Sequence, residues 1–366
     1  MTERFSVAVV GSGIGRAHVR AYRNLPDMFE VIALCDVDTE RAMPIAEASC
    51  IPCVVGNLDE VCAMDDVDIV DVCTPSYLHY AHVKQALGAG KHVVCEKPVA
   101  GSMREVDDLI HIEAESGRRV MPIFQNRFGH GLQRLKLLMD QGVAGRAYLT
   151  TIETAWRRRA EYYAVPWRGN WETELGGPLV TLAIHAHDVL CHVLGPATRV
   201  YAEATTRVNP IETEDCLAAS VRMADGSLAV LSVTTGSAAE VSRYRFCFEG
   251  LTAESNTQPY AATSDPWCFM GDSPEAVERI EQTLAGFEPL PEGFEGQFSR
   301  FYRALTDGGE LPVSLADARV SLELITALYT SCDTGQPVNL PIADSHPKYA
   351  SWRPQGSSVN RAATVD

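Results

Sequence analysis

Residues 5–18, FSVAVVGSGIGRAH, decide the fold. Phe5 to Val10 form a short apolar, β-branched run, a buried-strand signal. A glycine turn follows, and then an apolar-periodic stretch that ends near Leu25-Pro26, which reads as a helix. Gly11 permits a tight turn, and Gly13 lets a diphosphate approach the backbone. Gly15, with Ile14 before it, opens a helix whose N-terminal amides face an anion. The third glycine comes one residue earlier than in the GxGxxG spacing, so the turn alone is weak evidence.

The flanking sequence strengthens it. EVIALCD (30–36) is a second strand that ends in Asp36. A carboxylate there accepts hydrogen bonds from both adenosine ribose hydroxyls and repels a 2′-phosphate, so NAD is expected and NADP is less favoured. Asp38 caps a helix through Ala48, which Pro44 should kink or shorten. Strands follow at 68–75, 92–98 and 120–124. Helices run from 77 to 89 and from Ser102, which forms a capping box with Glu105, to Gly117. This alternation implies a doubly wound parallel sheet, a dinucleotide-binding Rossmann domain over 1–124 in an α/β protein.

The pattern then changes. A helix at 131–141 leads to a strand at 147–156, an Arg- and Trp-rich loop, and one helix from 177 to 194. Alternating segments follow at 199–208, 216–237 and 242–250, with Asp225-Gly226 as a hairpin turn. Ser314 and Asp317 start a late helix that ends before Gly335. Residues 125–353 therefore read as an α+β substrate-binding domain with a largely antiparallel open sheet, and 354–366 as a loose tail.

Composition excludes several classes. Of 366 residues, 31 are Lys or Arg and 48 are Asp or Glu, a net charge of −17 that repels nucleic-acid backbones. No apolar run reaches the roughly 18 residues of a membrane span, and the N-terminus is not a secretory signal, so a cytoplasmic protein is expected. The eleven cysteines read mostly as buried small hydrophobes. Cys50 and Cys53 form a lone CxxC without the second pair that a structural zinc site would need.

Two clusters carry chemistry. Glu96-Lys97-Pro98 ends a parallel strand, where ligands bind in open α/β sheets, and proline there fits a fixed, even cis, turn. A lysine at that place can donate to a substrate oxygen and stabilise an alkoxide as hydride leaves. In GGPLVTLAIHAHDVLCHVLG (176–195), one continuous helix would align Thr181, His185, Asp188 and His192 on one face. His185 can act as a neutral general base. His185 and His192 are two turns apart, about 10 Å, too far for one metal ion, so no metal site is expected. His187 and His192 read as core histidines.

TAWRRRAEYYAVPWRGNWETELGG (154–177) concentrates cations and aromatics in an acidic chain. Aromatic faces stack on the C–H side of a sugar, and guanidinium forks onto hydroxyls or carboxylates. Trp156, Tyr163, Trp167 and Arg168 are substrate candidates, joined by Gln125, Asn126 and Arg127, which follow the last Rossmann strand. The alternative is a lid that packs its own aromatics.

Taken in order, GSGIGRAH, LCDVD, CTPSYLH, CEKP, WRG with GGPL, and IHAHD resemble the Gfo/Idh/MocA family of oxidoreductases over nearly the whole chain. The resemblance implies NAD(P), substrates that are mostly sugars or cyclitols, and a dimer or tetramer built through the C-terminal sheet. It assigns Lys97 as the active-site lysine, His185 as the catalytic histidine, and Thr74, Pro75 and His79 to the loop beside the nicotinamide, with Glu96 and Lys97 at its rim. Many members carry aspartate where this chain has Thr181, which cannot bear a charge but can orient a hydroxyl. The expected activity is hydride transfer between a nicotinamide and a ring alcohol. Two alternatives stay open: a redox cycle on bound NAD that cleaves glycosides by elimination, and a non-enzymatic dinucleotide sensor.

Overall fold

A computed structural model of the chain describes residues 4–354. Of the expected loose tail, 354–366, all but Pro354 lies outside the described residues. The first sheet contains β1 (Phe5–Val10), β2 (Phe29–Cys35), β3 (Cys53–Val55), β4 (Ile69–Val72), β5 (His92–Cys95) and β6 (Val120–Pro122). They pair in the order β3-β2-β1-β4-β5-β6, all parallel. This is the doubly wound order, and its reversal between β1 and β4 opens a crevice at the carboxyl ends of those strands. Val7, Ala8 and Val9 are fully buried, as are Ile69, Val70 and Val72. Strands covered on both faces read as continuous apolar runs, which is why the sequence showed no alternation here.

The crossovers are α1 (Ser12–Arg23), α2 (Thr39–Ser49), α3 (Leu58–Cys62), α4 (His79–Gly88) and α5 (Met103–Ser116). Asp38 caps α2 by accepting from the Arg41 amide at 3.0 Å. Pro44 does not shorten α2, contrary to expectation; the helix runs past it to Ser49. The proline is exposed, as is Glu40 one turn earlier, so water can take the carbonyl that the proline ring leaves without an N–H donor. Ser102 caps α5, but Glu105 turns to the amide of Gly101 at 2.7 Å rather than completing a box with Ser102. The sequence reading passed over β3 and α3, which are three and five residues long, too short for a period to register.

The second half contributes α6 (His130–Asp140), β7 (Ala147–Arg157), α7 (Ala160–Tyr163), α8 (Pro178–Thr181), α9 (Ile184–Leu194), β8 (Ala197–Thr205), β9 (Cys216–Met223) and β10 (Leu228–Thr234). It continues with β11 (Gly236–Phe248), β12 (Thr252–Glu254), β13 (Cys268–Met270), α10 (Pro274–Ala285), α11 (Gly293–Asp307), α12 (Leu315–Thr334) and β14 (Val338–Asn339). Its eight strands run β13-β12-β11-β7-β10-β9-β8-β14. β7 and β10 are parallel and every other pairing is antiparallel. The turn between β9 and β10 uses Gly226 at φ +89°, with the Asp225 carboxylate accepting from the Ser227 amide at 2.9 Å. Ser314 and Asp317 form a reciprocal capping box on α12.

The expected single helix over 177–194 is two. The amides of Leu182 and Ala183 both turn onto the Pro178 carbonyl, at 3.1 and 2.7 Å, and α9 restarts with the His187 amide on Ala183. The break takes Thr181 out of register with His185 and leaves its carbonyl without a helical donor.

The late helices tie the two halves together. α11 lies against α1, where the rings of Phe298 and Tyr22 stack at 4.2 Å, and α12 packs on α5, α9 and β8. Among the described residues, no helix is long and apolar enough to cross a membrane.

Candidate active site

The glycine turn sits at the reversal point of the first sheet. Gly11 has φ +103°, and a Cβ on it would lie 2.6 Å from the Cys73 carbonyl oxygen. A Cβ on Gly15 would meet the Val9 side chain at 2.8 Å, so the early third glycine allows close packing of α1 on β1. Gly13 has open space where a Cβ would project, as a backbone that admits a pyrophosphate must. Ile14 stands 46% exposed on the same turn. These observations fit a dinucleotide.

Asp36 is buried at the end of β2 and more fully engaged than its sequence position suggested. It accepts from the Ser12 amide at 2.8 Å, the Ser12 hydroxyl at 2.5 Å, the Asp38 amide at 2.9 Å, and the Arg41 guanidinium at 2.8 Å on both oxygens. These donors hold its pKa below the ordinary value against the opposing cost of burial. The sequence reading found no arginine immediately after Asp36. α2 brings one back from five residues on.

Across the crevice, His79 bridges two loops. Nδ1 lies 2.7 Å from the Pro98 carbonyl and Nε2 2.7 Å from the Thr74 carbonyl. Burial lowers its pKa, and the neutral ring donates to one carbonyl at a time. The Thr74 hydroxyl pairs with His82 at 3.2 Å, and Pro75 precedes the turn that opens α4. Lys97-Pro98 is a cis peptide.

Lys97 reaches from the end of β5 to the second half of the chain, its Nζ donating to the Thr181 carbonyl oxygen at 2.5 Å. The helix break supplies that oxygen. The Thr181 hydroxyl donates instead to the Gly177 carbonyl at 3.1 Å, which spends its proton on its own helical turn. Burial lowers the proton affinity of Lys97, with Glu96 opposing. His185 stands four residues after Thr181. Burial, reinforced by the charge of Lys97, takes its pKa to about 3, and its Nδ1 is buried with no hydrogen-bond partner in the protein. It is therefore a neutral base beside an ammonium.

His185 also lines a cleft with Asn126, Thr154, Trp156, Ser242 and Tyr260. Trp156 donates to the Ser242 hydroxyl at 2.9 Å, and its ring lies 4.2 Å from that of Tyr260. Apart from Asn126 and Trp156, the sequence reading missed this wall. Alternation along β7 and β11 points such residues to one face, but only the sheet pairing shows that the face meets His185.

Other candidates find internal partners. Arg127 donates to Asp188 at 2.7 and 2.6 Å and pairs with Asp317 at 3.0 Å, at 7% exposure. It is held in a buried ion-pair cluster rather than aimed at the cleft, because each of its three guanidinium nitrogens already faces a carboxylate. Gln125 keeps a buried Oε1 with no partner in the protein. In the lid, Arg168 stacks on Tyr162 and Trp167, 3.9 and 4.3 Å from the ring centres, and pairs with the buried Glu174 at 3.5 Å. Tyr163 packs edge-on against Tyr162. Arg158 pairs with Glu240 at 3.0 Å, and Arg159 donates to the carbonyls of Arg158 and Thr235. His187 is buried with its pKa lowered to about 3, and His192 is lowered to about 4.

Residues 5–124 match a family model described as the NAD-binding Rossmann fold of the GFO/IDH/MocA oxidoreductases, and residues 132–253 match that family's C-terminal domain. The chain is 30% identical over 247 residues to an uncharacterized oxidoreductase of Synechocystis, an alignment spanning 63% of this chain and 65% of that one. It is 27% identical to the D-glucoside 3-dehydrogenase of Escherichia coli K12 over 91% of this chain and 97% of the relative. Among solved structures, the WlbA dehydrogenase of Bordetella pertussis, in complex with NADH and UDP-GlcNAcA, superposes with a TM-score of 0.81. Its sequence is 26% identical, over 93% of this chain and all of that one.

Proposed function

Because the chain belongs to the GFO/IDH/MocA family of oxidoreductases, we propose that it is an NAD-dependent oxidoreductase that transfers hydride between the nicotinamide and a ring alcohol or ketone of a carbohydrate. The reading rests on the proximity of Lys97 and His185, an ammonium held at the Thr181 carbonyl whose charge lowers the histidine's pKa, and an imidazole with a free, buried Nδ1. The relatives act in the same area of chemistry: one is named a D-glucoside 3-dehydrogenase and another a D-apiose dehydrogenase.

NAD, when bound, supplies the hydride acceptor. Gly11, Gly13, Ile14 and Gly15 would hold its diphosphate, Asp36 its adenosine ribose, and Thr74, Pro75 and His79 the rim near the nicotinamide. Lys97 donates to the reacting oxygen and stabilises negative charge there. His185, neutral at working pH, takes the hydroxyl proton at Nδ1. Trp156 and Tyr260 offer faces to the sugar ring, and Trp167, Arg168 and Tyr163 close over it from the lid.

The second sheet leaves one face open. Leu149, Leu228, Val230 and Tyr201 are exposed on it, in neighbouring strands. We place a second copy of the chain on this face, in a dimer or tetramer. The eleven free thiols suit a reducing cytoplasm.

The test is a panel of sugars, cyclitols, uronates and glycosides with NAD and NADP, read as net NADH or NADPH, with Lys97→Ala as control. Turnover of a carbohydrate alcohol that is lost in the variant supports the reading. Full turnover by the variant, or consumption of a glycoside without net reduced cofactor, overturns it.

A further inference from the structure

Beneath the glycine turn lies a charged cluster that the catalytic reading does not use. His18, on α1, is fully buried. Its Nδ1 is 2.8 Å from Asp71 Oδ2 on β4, and its Nε2 is 3.1 Å from Glu96 Oε1 at the end of β5. Asp71 is also fully buried, and Glu96 nearly so. Both ring nitrogens face carboxyl oxygens, and an ionised carboxylate only accepts, so toward ionised Asp71 and Glu96 each nitrogen brings a hydrogen. The other neighbours agree. The Cys73 thiol lies 3.4 Å from Nδ1 and donates to Asp71 Oδ1 at 3.5 Å. The rings of Phe294 and Phe298, from α11, cover the imidazole at centroid distances of 4.5 and 5.5 Å and keep water out. Two more titratable groups lie nearby: burial beside Asp71 keeps the phenol of Tyr22, one turn along α1, protonated, and burial beside Glu96 and Cys73 does the same for the Cys95 thiol.

The second oxygen of Glu96, Oε2, accepts from the Lys97 amide at 3.1 Å. Asp71, His18, Glu96 and Lys97 thus alternate in charge from the middle of the first sheet to the cleft. The row is neutral as a whole, which is what allows it to be buried.

We infer that His18 is an imidazolium that positions the Glu96-Lys97 corner, coupling the dinucleotide helix to the lysine that donates to the reacting oxygen. It acts through Glu96 and touches no substrate. Without it, Glu96 has no partner for Oε1, and the carboxylate that aims Lys97 is free to turn or to take up a proton. Asp71 and Cys73 fix the ring from the other side. Burial alone would discharge the ring, but the carboxylates prevail: the pKa of His18 lies well above its ordinary value, and that of Glu96 is held down to about 2.

The inference rests on the role given to Lys97 above, and the test separates the two. Nitrogen and carbon NMR of the His18 ring, in the full chain with NADH bound, reads its charge directly. We expect both ring nitrogens to stay protonated up to at least pH 8, in the wild type and in Lys97→Ala alike. In His18→Gln we expect kcat to fall on the order of 10²-fold, KM to change little, and the alkaline limb of the kcat profile to move. Glu96→Gln is the second variant, should His18→Gln not fold, and its alkaline limb should move to lower pH as Lys97 loses a neighbouring negative charge. A neutral His18 ring at pH 7, or kcat and pH limbs unchanged in both variants, overturns the inference. Turnover that survives in Lys97→Ala beside a charged His18 overturns the role of Lys97 instead.

Discussion

Lys97 Nζ lies 2.5 Å from the carbonyl oxygen of Thr181, a residue 84 positions away in the chain. The contact joins the end of β5 to the point where α8 gives way to α9. It sets where the ammonium sits relative to His185, and so what the cleft can do.

Lys97→Ala should remove most turnover, by roughly 10²- to 10⁴-fold in kcat, while NADH binding measured by fluorescence titration stays within about threefold. The lysine meets the reacting oxygen rather than the diphosphate or ribose. A variant that loses cofactor affinity but keeps kcat would contradict this placement.

The pH profile should lack an acid limb near the ordinary histidine pKa of 6.5. Burial and Lys97 take His185 down to about 3, so it is already a free base there. On the alkaline side, burial lowers Lys97 below its ordinary 10.5, so loss of the ammonium should cut kcat at a lower pH than for an exposed lysine. A bell centred on two ordinary values would count against the geometry.

Thr181→Val should be nearly silent, changing kcat by less than about threefold. The main-chain oxygen holds Lys97, and the hydroxyl only closes a local bond to Gly177, of a kind typically worth about 1 kcal/mol. A loss approaching that of Lys97→Ala would show that the hydroxyl meets substrate after all.

Arg41→Ala should tighten NAD and loosen NADP, shifting their ratio of Kd by about tenfold, or about 1.4 kcal/mol. Asp36 has both oxygens occupied by Arg41, so a ribose diol must displace that guanidinium. The arginine side chain is 59% exposed, so its pair with Asp36 is worth about 1 kcal/mol or less and yields readily. Once displaced, it stands near any 2′-phosphate. Titration with NADH and NADPH gives both constants, and an unchanged ratio would remove Arg41 from cofactor selection.

Arg127→Ala should act on stability, costing about 3–5 kcal/mol, because it strands the buried Asp188 without its partner. Thermal unfolding measures the loss. A normal Tm with a raised sugar KM would return Arg127 to the substrate wall.

Five of the six strands of the first sheet, its glycine turn, the acid that ends β2, and Lys97 and His185 as candidates were legible in the sequence. Each rests on local chemistry: buried strands need continuous apolar runs, tight turns need glycine, and caps need short polar side chains. The remaining features come from how the segments pack. That packing broke the helix at 182–183, gave Lys97 the Thr181 carbonyl, turned Arg127 onto Asp188, filled Asp36 with Arg41, and set His18 between Asp71 and Glu96. These partners lie from five to 84 residues apart in the chain. Periodicity and propensity describe one segment at a time. A charge's partner is fixed by which segments pack together, and by the cost of burying that charge without one.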